Sequence, residues 1–143
     1  MPGFEMSEFI PRSPQEVFDF ISASENAPKV VPSVTSMVKL TEGPVRVGTR
    51  YCETRLMKGE EHQTELEIVE YEPVQKYAMK NETDGIETVY RYTFRPEEGG
   101  TRVNLVCEVK GSGAKKLIAP VVVSVLKKED GDHLQRLKQA MEK

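Results

Sequence analysis

The chain has 143 residues, 38% of them hydrophobic and 30% charged, a length and balance that suit one globular domain over 1–143 and exclude a disordered chain. Its net charge of −3 gives no electrostatic basis for binding nucleic acid. The two cysteines, Cys52 and Cys107, lie inside strand-like runs without Cys-x-x-Cys or histidine spacing, so neither a disulfide framework nor a metal site is signalled; no cofactor is expected.

A first strand is expected at 3–10. The stretch PRSPQEVFDFISASENAPKVVPSV (11–34) then departs from strand patterning. Ser13 with Glu16 three residues on forms a capping-box signal, Pro14 suits the first helical position, and Val17, Phe18, Phe20 and Ile21 supply one apolar side. A second short helix starts at Ser24 to Asn26, with Pro28 tolerable only in its first turn and Pro32 as its stop. Two helices this short cannot hold a core alone, so they are expected to close one end of a larger structure.

Strands follow at 34–42, 48–57, 60–71, 75–83, 86–95 and 101–110. They are punctuated by Gly43-Pro44, Lys58-Gly59, Glu72-Pro73, Asp84-Gly85 and Glu98-Gly99-Gly100. From Gly113 onward the period becomes helical, with Leu134, Leu137 and Met141 on one side. The first half of this closing helix, KKLIAPVVVSVLKK, is rich in β-branched residues, and Pro120 must sit in its first turn or kink it. The longest apolar run, 117–126, contains that proline and is too short to span a bilayer; the N-terminus lacks the basic and apolar regions of a signal peptide. A cytoplasmic protein without stable membrane insertion is expected.

Residues directly opposite one another in antiparallel strands share a face. A two-residue loop at Asp84-Gly85 puts Tyr77 opposite Tyr92, Met79 opposite Tyr90 and Asn81 opposite Thr88. A four-residue loop at 97–100 puts Phe94, Tyr92 and Tyr90 opposite Val103, Leu105 and Cys107. One continuous apolar, tyrosine-rich face results, while Lys76, Lys80, Arg91, Arg102 and Glu108 fall on the other. In the hairpin around Lys58-Gly59, Leu66 and Ile68 share their face with Tyr51, Glu53, Arg55, Met57, His62 and Thr64. Inward charges must be paired or wet. Glu53, Arg55 and His62 therefore either bond to one another inside a cavity or form a solvated cluster where the hairpin overshoots its cover.

Each inward tyrosine carries a hydroxyl that needs a partner when buried, so this face suits a ligand cavity with apolar walls and few polar groups. Its expected lining is Tyr51, Met57, Leu66, Tyr77, Met79, Tyr90, Tyr92, Phe94, Leu105 and Cys107 from the sheet, with Leu117, Val121 and Val125 from the closing helix.

The phrases SPQEVFDFI, VGTRY, EYEP and GGTRV, with the order strand, two short helices, six strands and long helix, resemble the START-like helix-grip (SRPBCC) superfamily and in particular its polyketide cyclase/dehydrase-like group. The resemblance implies an α+β helix-grip fold, a curved seven-stranded antiparallel sheet around a long C-terminal helix with two short N-terminal helices, and a hydrophobic cavity between them. The expected partner is a small hydrophobic or amphipathic molecule such as a lipid, polyketide or aromatic metabolite. The alternative is a metal-free cyclase or dehydratase, with His62 as acid or base, Glu53 orienting it and Arg55 stabilising an enolate-like oxygen. A third reading is a protein-interaction domain using an apolar patch on the last helix.

Overall fold

The computed structural model describes residues 3–142, with the side chains of Glu129 and Asp130 left aside. The described residues form one seven-stranded antiparallel sheet in the order β1-β7-β6-β5-β4-β3-β2. Its strands are β1 (Gly3–Ile10), β2 (Val34–Lys39), β3 (Arg50–Met57), β4 (Glu60–Glu72), β5 (Lys76–Thr83), β6 (Ile86–Glu97) and β7 (Gly100–Gly111). Helix α1 (Pro14–Ser22), a 3₁₀ turn at Ser24–Asn26 and helix α2 (Ala27–Val30) join β1 to β2. The chain closes with a 3₁₀ turn at Gly113–Leu117, α3 (Ala119–Asp130) and α4 (His133–Met141).

Local chemistry accounts for these boundaries. The Ser13 hydroxyl accepts from the Glu16 amide at 3.2 Å while the Glu16 carboxylate accepts from the Ser13 amide at 3.3 Å, completing the capping box of α1. The β3–β4 and β5–β6 hairpins turn on Lys58-Gly59 and Asp84-Gly85. All four of these residues have positive φ, as two-residue turns matched to strand twist require. Proline occupies the first turn of α2 and of α3. The closing helix is broken at Gly131 and Asp132, where Asp132 leaves helical geometry at φ −106°, ψ 15°. Neither residue has the propensity to carry a helix through.

The expected registers are present: Tyr77 pairs with Tyr92, Met79 with Tyr90, Tyr90 with Cys107 and Tyr92 with Leu105. The β6–β7 loop is tighter than four residues, since Glu97 itself pairs with Gly100. A bulge between Ile68 and Glu70 resets β4, so that Tyr71 pairs with Tyr77 and points inward, a position strict alternation assigns to the outer face. Tyr71 then packs with Phe18, whose ring centroid is 5.6 Å away, and Phe18 stands 5.4 Å from Phe94. These rings, with Ile10, Val103, Leu105, Leu134 and Leu137, fill the half of the interior beneath α1. A smaller cluster joins Cys107 and Val109 to Ala119, Val122, Val123 and Leu126, seating α3 on β7. No described helix is long and apolar enough to cross a membrane.

Candidate functional site

The solid packing stops part-way along the sheet. Toward the β3–β4 and β5–β6 turns the inward positions enclose a cavity of about 250 Å³ instead. Its floor is made by Tyr51, Glu53, Arg55 and Met57 of β3, Leu66 of β4, Tyr77, Met79 and Asn81 of β5, and Thr88, Tyr90 and Tyr92 of β6. Phe20 and Ile21 of α1, Val30 of α2, Met37 of β2, Val125 and Leu126 of α3, and His133 of α4 contribute to the wall, with Ser24, Asn26 and Thr64 among its polar positions. The two short helices thus close one side of the space between sheet and closing helix.

Two polar pairs interrupt these apolar walls. On β3 the Arg55 Nε donates to the Glu53 carboxylate at 2.7 Å, with 15% and 11% of the two side chains exposed. On the opposite side the Tyr92 hydroxyl lies 2.5 Å from Nε2 of His133, and the two rings are 5.7 Å apart. Strands β3 and β6 are three positions apart in the sheet, roughly 14 Å along a flat sheet. The pairs are therefore anchored on different strands of one wall. The Tyr77 hydroxyl points at the Met79 sulfur, 3.6 Å away. Burial, then the neighbouring Tyr51 and Tyr71, push the Tyr77 phenol well above its ordinary range, and burial raises Tyr51 as well. Both hydroxyls therefore stay protonated at neutral pH.

The sequence-derived site divides in three. Tyr51, Glu53, Arg55, Met57, Leu66, Tyr77, Met79, Tyr90, Tyr92 and Val125 reach the cavity. Phe94, Leu105 and Cys107 do not: they are 7%, 0% and 0% exposed, Phe94 and Leu105 packed in the main core and Cys107 covered by α3. Leu117 and Val121 also lie off the wall and are 83% and 62% exposed: Leu117 falls in the turn before α3, and the phase of α3 turns Ala119, Val122, Val123 and Leu126 toward β7 and Val121 away.

His62 pairs with Arg55 across the hairpin, but its side chain is half exposed and stands 4.0 Å from Glu60, outside the cavity wall. The hairpin overshoots its cover there, so the Glu53, Arg55 and His62 constellation is not assembled inside. The histidine that does face the cavity is His133. Its helix carries the strong Leu134, Leu137 and Met141 pattern, in which His133 reads as an ordinary flanking position. The break at Gly131 and Asp132 was the available signal, because it starts α4 directly over Tyr92. Among the described residues no three His, Cys, Asp or Glu side chains cluster to hold a metal ion.

The family model described as polyketide cyclase / dehydrase and lipid transport matches residues 1–142. The chain belongs to this family. Among solved structures, this polyketide cyclase/dehydrase family member is similar to one di-domain ARO/CYC protein, BexL from the BE-7585A biosynthetic pathway. The TM-score is 0.81 and the identity 16%, over 99% of this chain and 47% of that one. It is also similar to Ara h 8.0201, with TM-score 0.77 and 18% identity over 99% and 98% of the two chains. For TTHA0849 from Thermus thermophilus the values are 0.76 and 18%, over 97% and 96%. At these identities the likeness establishes the shared helix-grip fold. No curated protein sequence matches the chain.

Proposed function

We propose that this protein binds a compact, uncharged, largely apolar molecule carrying one or two hydrogen-bonding groups. The observation that carries the reading is the cavity itself: its volume of about 250 Å³ lies just below the roughly 300–1,000 Å³ that drug-sized ligands occupy. This favours a body of one or two rings over a long acyl chain. Among the described residues Arg55 is the one arginine on the wall, and it is paired with Glu53 at 2.7 Å, so an anionic ligand would have to compete with a carboxylate already in place. Family membership supports a hydrophobic ligand in general terms.

The test is a matched pair of aromatic probes of one shape, a naphthol and the corresponding naphthoate, titrated by calorimetry and by amide chemical shifts. The neutral probe should bind more tightly and shift Tyr90, Tyr92 and Arg55. Absence of binding across a varied panel of neutral aromatics would remove the proposal.

One observation favours a second reading, a cyclase or dehydratase without a metal. A phenol and an imidazole 2.5 Å apart at the cavity wall are arranged to relay a proton to or from a bound ketone. Exchange of the α-deuterium of a simple 1,3-diketone, lost in His133→Asn, would support it. Equal exchange in the variant would leave the binding role alone.

A further inference from the structure

We infer that the outer face of α3 and the turn before it docks the domain on an anionic lipid bilayer. Leu117, Ile118, Val121 and Val125 are 83%, 40%, 62% and 54% exposed. Val121 and Val125 lie four residues apart on α3 and so share its outer face, and Leu117 and Ile118 lead into that helix from the turn before it, while the opposite side of α3 is packed on Cys107 and Val109. An unpartnered stripe of four large apolar side chains is an uncommon feature for a surface bathed only by water.

Charge identifies what covers it. Residues 113–128 contain four lysines and no acidic residue, whereas the whole chain has net charge −3. Lys115, Lys116, Lys127 and Lys128 are all exposed and bracket the stripe at both ends. The cationic segment is bounded by the Asp84-Gly85 turn, against which Lys115 packs, and by Glu129 and Asp130 in the sequence. The remaining exposed large apolar residues, Val38, Leu40, Val47 and Leu56, lie in a region of mixed charge where Arg50 is paired with Glu65 at 2.9 Å.

A second copy of the chain fits this face poorly. A two-fold contact along α3 lays the helix antiparallel to its mate and brings Lys115 and Lys116 of one copy against Lys127 and Lys128 of the other. A bilayer resolves both features at once. The apolar stripe enters the boundary of the acyl chains while the lysines extend to the phosphates. Val125 is both half exposed and part of the cavity wall, so the docked surface borders the cavity and would give an apolar molecule a path that avoids water.

The experiment is sedimentation of the full chain with vesicles of phosphatidylcholine alone or mixed with phosphatidylserine. Binding is expected only with phosphatidylserine, falling as salt is raised. Each lysine near an anionic surface is worth about a fivefold factor, so Lys115→Gln with Lys116→Gln should weaken binding about 25-fold. Leu117→Ser with Val121→Ser, both off the cavity wall, should weaken it about tenfold or more, with circular dichroism and aromatic-probe binding unchanged. Because vesicle binding and probe binding are read separately, the failure of one leaves the other standing. Failure to bind phosphatidylserine vesicles, or binding that the Leu117/Val121 variant retains, overturns the inference. So does self-association dispersed by Val121→Ser without vesicle binding, which would assign the face to a second copy.

Discussion

Removing both members of the Glu53–Arg55 pair should cost less than the sum of the two single removals. At 2.7 Å the gross attraction is about 6 kcal/mol with an effective dielectric constant near 20, and several kcal/mol of it is offset by taking both ions out of water. Arg55→Met leaves a carboxylate with about a tenth of its surface exposed, and Glu53→Gln leaves the guanidinium in the same position. Each single change is expected to destabilise by about 3 kcal/mol. With a coupling of about 2 kcal/mol, the double variant costs about 4 kcal/mol where independent sites would cost about 6. Equilibrium urea unfolding of the four proteins measures the cycle. The same Glu53→Gln protein should bind the naphthoate probe more tightly than the unchanged protein does, since one negative charge has left the wall beside Arg55. Additivity within about 0.5 kcal/mol, together with an unchanged preference for the neutral probe, would show that the pair is not a closed unit and would refute the argument for an uncharged ligand.

Three further outcomes are expected. Tyr92→Phe removes the hydroxyl that meets His133; it should cost about 1 kcal/mol and move the His133 ring resonances in NMR, which will stay in place if the contact is not made in solution. Glu16 is held below its ordinary value of 4.5, first by the Ser13 amide and then by the Ser13 hydroxyl; a carboxylate with a depressed folded-state value contributes stability above 4.5 that is lost as pH falls through the folded value. Ser13→Ala keeps the amide and removes the hydroxyl, so it should flatten in part the acid limb of the stability curve below about pH 4.5, and parallel curves for the two proteins would contradict this. Gly111→Ala would place a methyl group 2.3 Å from the Lys115 carbonyl oxygen, so it should destabilise by about 2 kcal/mol, roughly 5–8 °C in Tm; an unchanged melting curve would show that the β7–α3 junction moves freely.

Strand registers were legible because turn chemistry and face alternation are local and mutually constraining. Asp84-Gly85 sets the pairing of Tyr77 with Tyr92, and the hydrophobic pattern of β7 then allows only one alignment with β6. The capping box of α1 and the first-turn prolines of α2 and α3 are equally local. The bulge in β4 is not: nothing in EIVEYE marks which residue is extra, and only the inward packing of Tyr71 on Phe18 selects it.

From the sequence alone follow the helix-grip order of elements, the inward tyrosine face, and the presence of Glu53 and Arg55 on it, since each rests on periods and spacings within a few residues. Where that face is hollow is decided only in three dimensions. Phe94, Leu105 and Cys107 share a face with Tyr90 and Tyr92, yet the former are covered by α1, Tyr71 and the closing helices, while the latter also border the cavity. The same holds for the two histidines. His62 satisfies the alternation rule but sits beyond the reach of the cover, while His133 reaches the cavity because a break between α3 and α4 sets it over Tyr92. Alternation specifies the side of a sheet on which a residue lies; what stands opposite depends on chain segments distant in sequence, whose packing no local pattern encodes.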